Sequence, residues 1–150
     1  MKKWLKWVAG LVALAFLALQ LTNPAHLNPP VEPGHDLLAG NPPPASVASM
    51  LKNSCYDCHS YQTRWPWYSY IAPVSWLVVR DVDAARSAMN FSDWPHDDPK
   101  RVRKRWRHIA EYVQSGDMPM SNYTRMHSEA RLTDQQRAEL VTWAQVQAGD

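Results

Sequence analysis

The stretch Cys55-Tyr56-Asp57-Cys58-His59 places two thiols and an imidazole within five residues, and these are the only two cysteines in the chain. C-x-x-C-H is the spacing that attaches c-type haem. The thiols can add across the two vinyl groups of a haem, while His59, next along the backbone, is held where its ring can ligate the iron from one face. A chain so marked has to be organised around this stretch, with walls for a bulky flat cofactor. Two other chemistries share part of the spacing. A thiol redox pair calls for a βαβ context, whereas the flanks read as helical and broken by prolines. A zinc site needs a second pair of ligands, which only the scattered His26, His35, His96, His108 and His127 could supply.

The amino terminus has a different character. Lys2, Lys3 and Lys6 precede an uncharged run over residues 7–22, made mostly of Leu, Ala and Val. Such a segment is an export signal or a membrane anchor. The small-x-small pair Ala13 and Ala15 falls too early to follow a full apolar region, and Ala18 has Phe16 at its critical neighbour, so the expectation is an uncleaved anchor. Residues 5–21 give 17 positions, the lower limit for spanning, with Lys6 able to snorkel and Trp4 and Trp7 suited to the interface. Positive charge before the helix leaves the amino terminus in the cytoplasm. The expected location is therefore the inner membrane, single-pass, with the haem domain on the periplasmic side. A cleaved signal is the alternative, and it too exports the domain.

Residues 23–44 hold seven of the twelve prolines and almost no periodic apolar pattern, so they read as an extended tether. Fully extended at about 3.1 Å per residue, 22 residues would reach roughly 70 Å, and less if part of the segment docks. The division is thus 1–22 anchor or signal, 23–44 tether and 45–150 haem-binding domain. Without Lys2, Lys3 and Lys6 the formal charge falls from +2 to −1, thirteen basic residues against fourteen acidic. Nothing in that balance calls for nucleic acid as a partner.

The remaining pattern is helical. Pro44 with Val47, Met50 and Leu51 predicts a helix running into Cys55. Residues 60–73 carry Tyr61, Trp65, Trp67, Tyr68 and Tyr70 around Pro66 and predict a packed irregular loop, read either as a haem wall or as plain core. Val74, Leu77, Val78, Val82, Ala85 and Met89 follow helical spacing from Pro73. Asp98-Pro99 opens another helix with Val102, Trp106, Ile109 and Val113 on its apolar face, closing at Gly116. Thr133 to Gln136 has capping-box spacing before a terminal helix with Leu140, Val141, Trp143 and Ala144. No useful alternating segment exists, so the fold class is all-α. Lys100, Arg101, Arg103, Lys104, Arg105 and Arg107 crowd the start of their helix, where the macrodipole disfavours cations. They form a solvated face or a docking patch for an acidic partner, haem propionates or anionic headgroups.

Whether the iron has a second protein ligand decides between electron transfer and an open site for gases or peroxide. Gly116-Asp117-Met118-Pro119-Met120 follows a helix end, and Pro119 stiffens the backbone at Met118. Met118, 59 residues beyond His59, is therefore the candidate sixth ligand. Met120, Met126, His127 and His108 compete with it.

With these residues laid out, the chain resembles the haem-binding-domain family of small bacterial c-type cytochromes, which carry one C-x-x-C-H motif. The likeness covers roughly residues 28–143. It rests on the haem motif with Ser60, on Thr63-Arg64-Trp65-Pro66-Trp67-Tyr68-Ser69-Tyr70-Ile71-Ala72-Pro73-Val74-Ser75-Trp76, on Asn90-Phe91-Ser92 with Trp94, and on Gly116-Asp117-Met118-Pro119. Tyr123, His127 and Ala130-Arg131-Leu132 extend it. The resemblance implies a cytochrome-c-like helical domain, one covalent haem c, proximal His59 and a Met-Pro loop at the opposite face. It implies no substrate. The expected function is a membrane-anchored monohaem cytochrome that passes single electrons to and from redox partner proteins, an electron carrier more than a catalyst. Its alternatives are a haem sensor or peroxide-handling enzyme with an open sixth site, assisted by His127 or Arg64, and a haemless thiol redox protein.

Overall fold

A computed structural model describes residues 2–40 and 42–149. It is all-helical, with no strand among the described residues. In chain order come α1 (Lys2–Gln20), the short α2 (Leu37–Gly40), α3 (Ala45–Ser54), the single turn α4 (Tyr56–His59) and a 3-10 turn at Trp67–Tyr70. Then follow α5 (Val74–Ala88), α6 (Pro99–Ser115), α7 (Ser121–Met126), a second 3-10 turn at Ser128–Ala130, and α8 (Asp134–Ala148).

The two long carboxy-terminal helices have local reasons to start and stop where they do. The Asp98 carboxylate accepts from the backbone N–H of Lys100 at 3.0 Å and Arg101 at 3.1 Å, with Pro99 in the first turn where its missing N–H costs nothing. Gly116 ends α6 at φ +84°, a left-handed conformation that suits glycine. Thr133 and Gln136 cap α8 reciprocally at 3.2 and 2.9 Å. Between these ends α6 turns Trp106, Ile109, Ala110 and Val113 inward, and α8 answers with Leu140, Val141, Ala144 and Ala148. Each large apolar side chain so buried contributes about 1.5–3 kcal/mol before its ordering entropy is deducted.

An aromatic chain carries this core towards the haem motif. Phe91 meets Trp94 at 5.9 Å between ring centroids, Trp94 meets Trp106 at 5.1 Å, and Trp106 meets Trp143 edge-on at 4.5 Å. Val47, Met50 and Leu51 of α3 close the same core. Of the basic residues on α6, Arg105 is half-buried, its guanidinium 5.3 Å over Trp94 and donating to Asp93 O at 2.9 Å. Lys100, Arg101, Arg103 and Lys104 are exposed.

The proline-rich segment has the irregular backbone its composition implies, but it is fastened to the domain and is not a free tether. The His26 ring donates to Ser69 O at 2.7 Å, stacks on Tyr70 at 4.1 Å and meets the edge of Trp65 at 4.7 Å. Arg86 of α5 gathers the strap and the haem-motif region together: it donates to Leu27 O at 2.8 Å, Asn28 Oδ1 at 2.9 Å, Ser60 O at 2.8 Å and Thr63 Oγ1 at 2.9 Å. Asp36 accepts from Tyr56 Oη at 2.8 Å and Gln62 Nε2 at 2.9 Å. Leu37 is buried in the core, and its N–H donates to Phe91 O at 2.7 Å.

Helix α1 is exposed along most of its length and belongs to no core. Its window Lys3–Gln20 has a mean hydropathy of 1.3, long and apolar enough to cross a membrane. Only its end touches the domain. Ala72 N donates to Gln20 Oε1 at 2.9 Å, Asn23 Nδ2 donates to Tyr70 O at 3.1 Å, and Trp76 Nε1 donates to Thr22 O at 3.1 Å.

Candidate functional site

Helix α3 ends at Ser54, and Cys55, at φ −129°, redirects the chain into the one turn of α4. The N–H groups of Cys58 and His59 both donate to Cys55 O, at 3.2 and 2.9 Å, so the three motif side chains lie on neighbouring positions of a single turn. The segment 89–91 clasps that turn. His59 Nδ1 donates to Met89 O at 2.9 Å, Phe91 N donates to His59 O at 2.6 Å, and the two rings stack at 5.6 Å. A carbonyl only accepts, so Nδ1 carries the proton and Nε2 keeps a lone pair for a metal. Burial also lowers the pKa of His59, which keeps the ring neutral.

Burial pushes the Cys55 thiol up to about 12 and the Cys58 thiol up to about 11, with Cys58 and Asp57 respectively adding to the effect. Thiol–disulfide exchange proceeds through the thiolate and favours cysteines whose pKa is lowered. The pair is thus poorly suited to that chemistry. Among the described residues no three His, Cys, Asp or Glu side chains converge as a metal cluster, so the second ligand pair that zinc would need is missing.

Two apolar cavities open on His59. One, of about 260 Å³, runs along Ala84, Ala85 and Ala88 of α5 to Cys58, Met120 and Tyr123. The other, of about 280 Å³, runs past Cys55, Phe91 and the α6 residues His108, Ile109 and Tyr112. They share Ser54, His59, Ala88 and Met118. Taken together they fall within the range of about 300–1,000 Å³ typical of cofactor pockets. Ser54 Oγ is buried without a partner in the protein, as befits a wall that the chain itself does not complete. One thiol stands at each cavity, and the imidazole and the Met118 thioether border both. The donor set and the space fit a haem.

The Met118 loop is held at both ends. Upstream, Met118 N donates to Tyr112 O at 3.0 Å, while the Arg137 guanidinium donates to Val113 O and, at 3.5 Å, to Met118 O. Downstream, Tyr123 of α7 donates its hydroxyl to Asp57 Oδ2 at 2.7 Å. Asp57 lies inside the haem motif, buried, and also accepts from Arg64 through N at 3.0 Å, Nε at 3.1 Å and Nη2 at 2.9 Å. That carboxylate ties the attachment turn to the loop bearing Met118. Sequence reasoning missed it, because Asp57, Arg64 and Tyr123 have no spacing in common.

The competing ligands sort themselves by place. Met120 lines the first cavity and His108 the second, but neither reaches both. Met126 lines a third cavity of about 390 Å³ beyond Cys58, and His59 does not border it. His127 is engaged elsewhere, with Tyr68 Oη at 2.7 Å, Glu129 Oε1 at 3.2 Å and Tyr123 stacked at 4.3 Å. Of the aromatic run read as haem wall or plain core, Tyr61, Trp65, Trp67, Tyr68 and Tyr70 line neither cavity at His59, and only Tyr68 lines the third, which borders Cys58. The two cavities at His59 are walled by Ala84, Ala85, Ala88, Phe91, Ile109, Tyr112 and Tyr123.

A helical domain that presents a neutral imidazole and a thioether to one apolar slot, with two thiols at its edge, is built as a haem-binding protein. A family model described as a haem-binding domain matches residues 14–146, and the chain belongs to that family. The match begins inside α1 and takes in the strap, the attachment turn and the Met118 loop. No curated relative and no solved structure matches the chain.

Proposed function

We propose that the protein is a membrane-anchored, single-haem c-type cytochrome that transfers one electron at a time between redox partner proteins. The observation that carries this reading is that His59 and Met118 border the same pair of cavities while Cys55 and Cys58 stand one at each. Cys55 and Cys58 would hold the haem through thioethers, His59 Nε2 would ligate the iron, and Met118 would close the opposite face. The bound haem would supply a one-electron couple. Met89 O fixes the orientation of His59, and Asp57 and Arg137 fix the loop that brings up Met118. A thioether ligand favours ferrous iron and raises the potential relative to a second imidazole. Arg64 and His127, which an open-site sensor or peroxidase would draw on, are committed to Asp57 and to Tyr68 and Glu129. Helix α1, with lysines at its start, supports an inner-membrane anchor with the haem domain in the periplasm.

The test is a spectrum and a denaturing gel of the full chain expressed with c-type maturation machinery. Haem should stay with the polypeptide, and changing both Cys55 and Cys58 to Ser should abolish that retention. Met118→Ala should remove the weak long-wavelength band of methionine-bound ferric haem, lower the potential and admit carbon monoxide. Met120→Ala should do little. Colourless wild-type protein would end the cytochrome reading. A band that survives Met118→Ala but not Met120→Ala would reassign the ligand.

A further inference from the structure

Residues 65–79 contain no charged side chain, and the structure leaves much of their apolar surface uncovered. Trp67 is 72% exposed, Tyr70 52%, Val74 41%, Trp76 40% and Leu77 52%. They occupy the 3-10 turn and the first turn of α5; Val74 and Leu77 also line the third cavity, beyond Cys58, while Trp67, Tyr70 and Trp76 line none of the three. Several polar groups of the segment are paired with the end of α1. Trp76 Nε1 is spent on Thr22 O, the backbone of Ala72 on the Gln20 amide, and Tyr70 O on Asn23. An exposed apolar face of this extent is a surface made for contact.

The position of α1 identifies the occupant. Nineteen helical residues rise about 28 Å, close to the roughly 30 Å of a bilayer's hydrocarbon core. If α1 spans, Gln20 to Asn23 emerge at the headgroup level, with no spare length to lift the domain away. Ala72, Tyr70 and Trp76 are hydrogen-bonded to those very residues and are held at the same depth. Tryptophan and tyrosine are the side chains that suit that level.

We infer that the face formed by Trp67, Tyr70, Val74, Trp76 and Leu77 rests in the interface of the same bilayer that α1 crosses. This rests on the anchor reading given above and extends it: the domain lies on the membrane. The first two turns of α5 then stand between lipid and the haem slot.

The experiment uses the full chain in nanodiscs of phosphatidylcholine, a fraction of it carrying a diazirine near the glycerol backbone, with crosslinked peptides mapped by mass spectrometry. The expected result is lipid adducts both in α1 and at residues 67–77. The variant Trp67→Asp, at a side chain that lines no cavity near Cys58, should strongly reduce the second set while keeping the first and its haem spectrum. Adducts confined to α1 in the wild type would overturn the proposal and leave the anchor intact. An absence of adducts everywhere, with soluble protein, would overturn the anchor itself. Adducts at 67–77 in nanodiscs that hold one chain but not in those that hold two would assign the face to a second copy, and the proposal would fall.

Discussion

Where α6 meets α8 the chain fills its own interior: Trp106 closes on Trp143, and Leu140 and Ala144 are fully covered. Where α5 faces the Met118 loop, three alanines stand across open space from a thioether. The first region is held by packing. The second is held by polar ties: Asp57 to Tyr123 and Arg64, Arg137 to the loop, Arg86 to the strap. The difference shows how one small domain can be a stable scaffold and still keep a slot that its own side chains leave unfilled.

The strongest way to break that comparison is Trp106→Ala. Truncating a core tryptophan costs about 3–5 kcal/mol, a large part of the 5–15 kcal/mol that a domain has. The urea midpoint should collapse with or without haem; a midpoint that hardly moves would mean that the α6–α8 region is not the scaffold. Asp57→Asn comes next, because hydrogen bonds to a charged group are worth about 1.5–3 kcal/mol. Its loss should fall on the site, weakening the methionine–iron band and admitting carbon monoxide, with Tyr123→Phe giving the same change in smaller degree. Gly116→Ala should cost about 1 kcal/mol through its left-handed backbone, measured as a lowered thermal midpoint. The smallest change in stability is expected of Ala85→Leu, which grows into the slot and not into the packed core. The folded apoprotein should be as stable as wild type to within about 0.5 kcal/mol, since half-buried Ala85 borders open space, yet haem incorporation should drop sharply in a haem-stained gel. Normal loading of that variant would place the cofactor elsewhere.

The packed region was the legible one. Asp98-Pro99, Gly116 and the Thr133 capping box are short-range signals whose chemistry is complete within a few residues, so α6 and α8 could be read with their ends. The position of the C-x-x-C-H stretch at a helix end was legible for the same reason. The slot was not, because alanines at 84, 85 and 88 carry no pattern beyond being small, and the aromatic run drew the eye to side chains that line neither cavity at His59. Helix α7, six residues with no buried face, has too little length for periodicity to show. The docking of the strap depends on single polar side chains, His26, Asn28 and Asp36, each finding a partner at least 20 residues away. Proline content foretold an irregular backbone there and could say nothing of where it would lie.

That strap changes how the protein would find its partners. A domain on a free leash samples a volume, and its encounters depend on how far the leash reaches. One clamped at Gln20, Asn23 and Asn28 would, with the proposed anchor in place, keep only rotation about α1 and drift in the plane. For such a molecule embedded through α1, the rate of meeting another embedded protein is governed by how many of each share a unit of area. Loosening the clamp would trade that two-dimensional search for a slower choice of orientation.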